Sequence, residues 1–315
     1  VLPLYIHAPQ EEAPWQPGAA ARWWLHHALD DLSGQLEGRL LIRSGDSLPI
    51  LREVAERSGA TAVYWNRLYE PAAVARDTQV KQYLRAANIT AESANAALLF
   101  EPWEIKNRQG LPFRVFTPFW KRLLEAGLPQ ARGDRTDLGS RIVGPTRFEG
   151  IDPLALEGLK LLPNIRWDSG IQAAWRPTRA AAMARLDEFV ATELRGYAQG
   201  RDLPASDQVS RLSPYLHFGQ LGPREVVSLC RRERQAAAEF LRELGWREFA
   251  HHLLFHFPHT AEAALDSRFD AFPWRDDPVA LQAWQRGNTG IPLVDAGMRQ
   301  LWATGWMHNR VRMIV

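Results

Sequence analysis

The pattern of apolar and polar positions changes once along this chain, from alternating strand and helix periodicities to helical periodicity alone. Within the first hundred residues, short apolar runs typical of buried strands occur at residues 1–6, 40–43 and 60–65. Helical patterns over residues 19–32 and 48–57 separate them. Because strand–helix–strand units cross over right-handed, this order predicts an N-terminal doubly wound parallel sheet.

Beyond residue 176 no segment alternates with a period of two, and apolar residues recur at helical spacing. The predicted helices are residues 180–197, 223–231, 234–257, 278–286 and 294–315. Proline and glycine recur over residues 101–169, between the two patterns, which is typical of a connection. The predicted fold class is therefore α/β plus all-α.

These patterns divide the chain into an α/β domain (residues 1–121), a long interdomain linker (residues 122–170) and a helical domain (residues 171–315). The chain starts in a strand pattern without an initiator methionine. It ends at Val315 inside a helical pattern that has no stop signal. We therefore expect the first strand of the α/β domain and the C-terminal part of the helical domain to be missing.

Composition and charge narrow the classes of function. Hydrophobic residues make up 46% of the chain, enough for a core in each domain, and the apolar runs are too short to cross a membrane. The net charge of +2 excludes a generally cationic surface, so any contact with nucleic acid must be local. The single cysteine, Cys230, excludes an intramolecular disulfide and a cysteine metal cluster. We expect a soluble cytoplasmic monomer that has no membrane contact and no metal site.

The segment QVSRLSPYLHFG, residues 208–219, contains the first candidate chemistry. Two serines and Arg211 stand just ahead of Pro214, which begins a helical turn. Backbone N–H groups at a helix start attract anions, and a guanidinium can bind a phosphate through two hydrogen bonds. The alternative is ordinary capping of the helix by Ser213.

A second candidate lies in LRELGWREF, residues 241–249. Glu243, Trp246 and Arg247 have the spacing i, i+3 and i+4, which places a carboxylate, an indole and a guanidinium on one helix face. A solvated ion pair is the simpler interpretation. The large indole on the same face favours the wall of a cleft instead.

The last segment places Trp306, Asn309 and Met313 at i, i+3 and i+7, with Arg312 beside them. We interpret His308 as a packed or surface histidine and not as a general base. The three candidate segments contain no nucleophile–base pair and no metal-ligand spacing. Together they indicate a helical domain that holds a large planar ligand and a polyanion.

Five strings identify a resemblance: WNRLYEP, VFTPFWKRLL, SRLSPYLHFG, ELGWREF and TGWMHNRVRM. They closely resemble the DNA photolyase and cryptochrome family over essentially all 315 residues, and are most like bacterial class I cyclobutane pyrimidine dimer photolyases. The resemblance implies an antenna domain of α/β type and a helical domain that binds a folded FAD. It implies light-driven repair of pyrimidine dimers in DNA, a carbon–carbon lyase reaction in which reduced FAD donates an electron to a flipped-out dimer. The rival hypotheses are a cryptochrome-type flavin photoreceptor without repair activity and a helical nucleic-acid-binding protein without flavin.

The resemblance also assigns residues. Those of the FAD site are Tyr197, Val209, Ser210, Arg211, Leu212, Ser213, Arg247, Asn309 and Arg312. Those that contact DNA and the flipped dimer are Arg201, Glu243, Trp246, Asn309, Arg310 and Met313. Trp274 resembles the solvent-side tryptophan of the electron route to the flavin. Val209 stands where the family has threonine, which removes one hydroxyl contact.

Within the family, Glu243, Asn309 and Met313 favour repair of cyclobutane dimers over repair of (6-4) photoproducts. The antenna chromophore is left open. Ala72 and Ala73 stand where folate-binding members carry Asn-Glu, and Ala261 and Glu262 where they carry Cys-Lys. These differences speak against folate and leave a deazaflavin or no antenna.

Overall fold

The N-terminal half alternates strands and helices as the apolar pattern predicts. The computed structural model describes residues 1–131 and 150–315. The elements of this half are β1 (Leu4–His7), α1 (Ala19–Gln35), β2 (Leu41–Ser44), α2 (Ser47–Ser58), β3 (Ala62–Asn66), α3 (Pro71–Ala86) and β4 (Thr90–Ala94). β1 pairs with β2 and β3 with β4, both in parallel, with Leu4 opposite Leu41 and Ala62 opposite Thr90. Parallel neighbours need a crossover, which α1 and α3 provide.

The α/β class is confirmed, although the described strands form two parallel pairs and not one continuous sheet. In β2 the backbone of Leu41 faces β1, so that of Ile42 faces the opposite edge. There the Ile42 carbonyl accepts a hydrogen bond from Leu154 N–H at 2.9 Å. A segment inside the predicted linker therefore occupies the edge of β2 that faces away from β1. Residues 132–149, the middle of that linker, lie outside the described residues.

The second half is helical, as predicted. Its helices are α4 (Phe116–Ala126), α5 (Ser169–Ala174), α6 (Arg179–Glu188), α7 (Tyr197–Gly200), α8 (Ser213–His217), α9 (Pro223–Cys230), α10 (Arg234–His256), α11 (Pro278–Gln285), α12 (Pro292–Thr304) and α13 (Asn309–Ile314). Over the ranges described, none of the helices has both the length and the apolar character to cross a membrane. Helix α4 crosses the predicted domain boundary at residue 121, and the three domain ranges stay predictions.

Two predicted helices are each interrupted. The pattern over 294–315 predicts one helix, but Gly305 has φ +71°, in the left-handed region, and ends α12. A new helix, α13, starts after His308, whose Nδ1 accepts the Arg310 N–H at 3.1 Å. The pattern over 180–197 breaks at a π-helical turn, Phe189–Glu193. Periodicity alone predicted neither break, because the flanking residues stay apolar on both sides.

Two adjacent tryptophans of α1 join the N-terminal half to the helical half. Trp23 and Trp24 are both buried. Trp23 Nε1 donates to Asp168 Oδ2 at 3.1 Å, and Trp24 Nε1 donates to Gln220 Oε1 at 2.8 Å. The Trp24 ring packs edge-on against Tyr215, with 5.1 Å between centroids. Because a buried indole needs an acceptor for its N–H, these bonds fix where α1 lies on the helices.

A second joint lies along α10. Arg247 Nη1 donates to the Ala97 carbonyl at 2.6 Å. Glu248 Oε2 accepts the N–H groups of Leu99 at 2.9 Å and Phe100 at 3.4 Å. One turn further, His252 Nε2 accepts the Phe113 N–H at 3.0 Å. Polar side chains of one helix thus bind the backbone that leaves the α/β half.

The carboxyl group of Glu248 is almost fully buried, and burying a charged carboxylate costs folding free energy. Burial raises the pKa of Glu248 to about 7, although nearby Arg247 and the two amide donors favour the charged form. The neighbouring His252 is also buried, and burial lowers its pKa to about 4. The two groups therefore give pH dependences of opposite sign.

We predict that Glu248 makes the protein less stable as the pH rises. A carboxyl group whose pKa is higher in the folded state than in the unfolded state binds more protons when folded, so its stabilising contribution is complete below the unfolded pKa near 4.5 and is lost as the pH rises through about 7. The Glu248→Gln variant, which resembles the protonated acid, should lack this loss, worth about 2–4 kcal/mol. Urea unfolding of both proteins between about pH 5 and about pH 8 measures the difference. The exposed Glu92→Gln is the matched control. Identical pH profiles for wild type and Glu248→Gln would contradict the prediction.

Candidate functional site

Four charged side chains from three parts of the helical half form one cluster, named here the charge cluster: Arg201, Asp202, Glu243 and Arg310. Arg201 Nη1 lies 2.6 Å from Glu243 Oε1, which links the end of α7 to α10. Arg310 Nε and Nη2 both lie 2.6 Å from Asp202 Oδ1, which links α13 to α7. Arg201 Nε is 3.7 Å from the same Asp202 oxygen. The charges alternate in sign, and each arginine has an acidic partner within 2.6 Å.

Tyr197 forms the floor of the charge cluster. Its ring is buried against Phe189 and Phe240, with centroids 5.7 Å and 5.4 Å away. The Arg201 guanidinium lies 5.5 Å from the ring centroid, within the range of a cation–π contact. Burial raises the pKa of Tyr197 to about 12. The phenol is therefore neutral at physiological pH, and its interaction with Arg201 is the cation–π contact with the ring.

The loop that precedes α8 has an unusual backbone. Arg211 has φ +52°, in the left-handed region, and Leu212 follows in the right-handed helical region. Successive residues of opposite hand turn their N–H groups toward one point and form an anion-binding concavity called a nest. Across the described ranges, the N–H groups of Ser210 and Arg211 have no acceptor, and the Leu212 N–H has only the Ser210 Oγ at 3.5 Å. The loop therefore offers amide donors to a ligand.

The side chain of Arg211 brings this loop beside the charge cluster. Its guanidinium lies 4.7 Å from the centroid of the Trp306 ring and pairs with Asp207 at 2.8 Å. Two residues after Trp306, the buried His308 caps α13, where Arg310 stands. Burial lowers the pKa of His308, and the positive charges of Arg310 and Arg211 act in the same direction. The segment that joins α12 to α13 thus contacts the loop through Trp306, and α13 contributes Arg310 to the charge cluster.

The three α10 residues expected to share one wall contact three different neighbours. Glu243 lies in the charge cluster. The Trp246 ring stacks on Phe116, with centroids 3.6 Å apart and planes 10° apart, and stays 45% exposed. Arg247 donates to the Ala97 carbonyl instead. The prediction that Arg247 shares one cleft wall with Glu243 and Trp246 is therefore wrong. The assignment of Arg247 as a flavin contact stays a prediction.

The other residues assigned by resemblance lie at or near the surface. Asn309 is the exposed first residue of α13, and Arg312 is exposed on the same helix. Met313 is exposed, with its Sδ 3.3 Å from Arg310 Nη1. Trp274 is 82% exposed, and its nearest aromatic partner is Phe272, 4.6 Å away between centroids. The i, i+3, i+7 stripe does not exist as one helix face, because Trp306 precedes α13.

Sequence reasoning missed Asp202 and Asp207, the acids that pair with Arg310 and Arg211. Asp207 stands four residues before Arg211, but this segment is a loop, so helical spacing does not indicate the pair. Asp202 is 108 residues from Arg310, and no local pattern indicates that contact. Within the stretches described, no group of three or more His, Cys, Asp or Glu side chains could hold a metal ion.

Comparison with known proteins gives consistent matches. The family model described as DNA photolyase matches residues 1–135, and the one described as the FAD binding domain of DNA photolyase matches residues 240–315. The deoxyribodipyrimidine photo-lyase of Agrobacterium fabrum is 42% identical over 100% of this chain and 66% of its own length. Cryptochrome-2 of Arabidopsis thaliana is 36% identical over 100% of this chain and 54% of its own length. The chain therefore spans about half to two thirds of these relatives.

Among solved structures, a bacterial class III photolyase from Agrobacterium tumefaciens matches with a TM-score of 0.89 and 40% identity, over 100% of this chain and 65% of that one. This match confirms the mixed fold, with strands in the first half and helices in the second. It gives no support to the expected class I subgroup, since the matched structure belongs to class III.

We predict that the two ion pairs of the charge cluster differ in strength. Arg201 and Glu243 are 12% and 27% exposed, whereas Arg310 and Asp202 are 34% and 55% exposed. Double-mutant cycles with Gln or Asn at each position should give a coupling energy of about 1–3 kcal/mol for the first pair and about 0.2–1 kcal/mol for the second. A stronger coupling for Arg310 and Asp202 than for Arg201 and Glu243 would contradict the prediction that water weakens the more exposed pair.

Proposed function

The chain belongs to the DNA photolyase and cryptochrome family, and we propose that it repairs cyclobutane pyrimidine dimers in DNA in a light-driven reaction. Its C-terminal part matches an FAD binding domain, so FAD is the cofactor. When bound and reduced, FAD supplies the photoexcited electron that opens the dimer, which is chemistry no side chain offers. The chain's own residues bind the cofactor and the DNA and set their orientation.

The observation that carries this proposal is the charge cluster beside the half-exposed Trp246. Glu243 and Trp246 are three residues apart on α10, so the carboxylate and the indole are neighbours on its surface. A dimer is out of reach inside the stack and must flip out, at a cost that its weakened pairing and stacking reduce. Trp246, stacked on Phe116, would give the flipped base a rigid platform, and Glu243 would accept a hydrogen bond from a base edge.

In the same proposal, Arg201 and Arg310 neutralise the phosphates that flank the dimer. Each arginine would have to exchange an acidic partner, Glu243 or Asp202, for a phosphate. Phosphate contacts of this kind set the position of the protein on DNA and make binding sensitive to salt. The exposed Asn309 and Met313 stand four residues apart on α13, Met313 contacts Arg310, and both complete the proposed contact surface.

The residues around the loop fit the diphosphate of FAD. The nest at Arg211 offers amide N–H groups without acceptors in the described part of the chain, and the buried Nε of Arg211 likewise has none there. We assign the diphosphate to Ser210, Arg211, Leu212 and Ser213, and the flavin surroundings to Tyr197, Asn309 and Arg312. The strongly exposed Trp274 is proposed as the solvent-side tryptophan through which electrons reach the cofactor.

A signalling photoreceptor is the second candidate, because Cryptochrome-2 of Arabidopsis thaliana is 36% identical over this whole chain. Glu243, Trp246 and Met313 favour repair, since they suit a flipped base and a receptor has no need of them.

For the antenna, Ala72 and Ala73 at the start of α3 offer no polar side chain to a folate, and a deazaflavin or no antenna is retained. The buried, unpaired Cys230 suits the reducing cytoplasm, where we expect a monomer.

The test of repair uses the full-length protein with FAD reduced and a DNA that contains one thymine dimer. The proposal predicts loss of the dimer in blue or near-ultraviolet light and none in the dark. A protein that binds FAD and leaves the dimer intact in light would be a photoreceptor, and the repair proposal would be wrong.

We predict that Trp246→Ala weakens binding to dimer-containing DNA about tenfold or more, through the lost stacking platform. The FAD content of the purified protein should not change, because Trp246 packs on Phe116 and not on the loop. Trp302→Ala, which removes an indole that is 85% exposed on α12, is the control and should leave both unchanged. If wild type binds damaged and undamaged DNA equally, the assignment of Trp246 fails.

A further inference from the structure

An arginine outside every motif named above holds the loop before α8 by its backbone. Arg185, on α6, donates from Nη2 to the Val209 carbonyl at 2.9 Å and from Nε to the Ser210 carbonyl at 3.1 Å. Its side chain is mostly buried. One planar guanidinium therefore fixes two successive peptide groups.

A π-helical turn places the acid that holds this arginine. In a regular α-helix, residue i+8 is rotated by about 80° from residue i, so Glu193 would not face Arg185. The turn Phe189–Glu193 uses extra residues and removes most of that offset. Glu193 binds Arg185 through both oxygens, Oε1 to Nη1 at 2.9 Å and Oε2 to Nη2 at 2.5 Å. Glu188 accepts a further bond from Nη1 at 2.9 Å.

The two carbonyl contacts also fix where the loop's N–H groups point. A trans peptide is planar, and its C=O and N–H point in opposite directions. With the carbonyls of Val209 and Ser210 directed at Arg185, the N–H groups of Ser210 and Arg211 point away from it. These are the amides that lack an acceptor in the ranges described. Arg185 thus fixes the direction of two of the loop's unpaired amide donors, of which the Arg211 N–H belongs to the nest.

We propose that Arg185, held by Glu193, is a positioning residue for the FAD diphosphate. It contacts no phosphate itself and acts by keeping two peptide groups in the orientation in which their N–H groups bind one. This inference rests on the proposed function, since it needs FAD at this loop. No resemblance assigned a role to Arg185 or Glu193.

The experiment measures the affinity of the full-length apoprotein for FAD and for riboflavin, which lacks the diphosphate. The quenching of flavin fluorescence gives both dissociation constants, and thermal unfolding of the apoprotein monitors folding. The variants are Arg185→Gln, Arg185→Lys and Glu193→Gln. Arg195→Gln is the control, because Arg195 pairs with Glu233 at the surface and makes no contact with the loop.

Arg185→Gln should raise the Kd for FAD about tenfold or more and leave the Kd for riboflavin within about twofold. Arg185→Lys, whose single ammonium cannot bind both carbonyls and the carboxylate in the same geometry, should fall between Gln and wild type. Glu193→Gln keeps both carbonyl contacts and should raise the Kd for FAD by only about threefold. Arg195→Gln should bind both flavins like wild type.

The outcomes separate this inference from the function on which it rests. If wild type binds no FAD, the proposed function fails. If wild type binds FAD and Arg185→Gln binds it equally well, the positioning role is wrong and the function stands. Equal weakening for FAD and riboflavin would mean that Arg185 only stabilises the fold. If Arg185→Gln does not fold, Glu193→Gln decides: an unchanged preference for FAD over riboflavin contradicts the inference.

Discussion

A carboxylate cannot be buried without partners, and the partners of Glu248 determine how the two halves of this protein meet. Glu248 is a residue of α10, and its buried side chain accepts hydrogen bonds from the N–H groups of Leu99 and Phe100. These two residues lie where the chain leaves the α/β half. Arg247 adds the Ala97 carbonyl to the same joint. On the other side, Trp23 and Trp24 of α1 bind Asp168 and Gln220. The joints give hydrogen-bond partners to Glu248 Oε2 and to the two buried indole N–H groups, so the halves cannot separate without exposing these groups or leaving them unpaired.

The candidate site depends on the same helix. Glu243 stands four residues before Arg247, so the helix that binds the α/β half also presents the carboxylate that holds Arg201. Trp246, between them, stacks on α4 and keeps half of its surface open. The loop with free amides is fixed separately, by Arg185 from α6. A helix fixed by the joint and a loop fixed by Arg185 suit the proposed site, which must hold a cofactor and a flipped base in one geometry.

The sequence predicted elements well wherever the deciding signal was local. The periodicity over 234–257 predicted α10 within one residue, because its apolar stripe is long and uninterrupted. It missed the break at Gly305, although a glycine after an apolar helical pattern is a known stop signal. Contacts that decide the site were out of reach: Arg247 turns to a carbonyl 150 residues away, and Arg310 to an acid 108 residues away. Spacing gives the face of a helix, but only the fold gives what lies against it.

Buried hydrogen bonds to α10 hold the two halves of the protein as one unit, on which the geometry of the site depends. Native-state hydrogen exchange at the amides of Leu99 and Phe100 tests this most directly. If the halves are held as one unit, these two loop amides exchange as slowly as those in the middle of α10, because both open only when the joint opens. Exchange at the rate of an exposed loop, while α10 stays protected, would show that the joint is open in solution and would contradict the account.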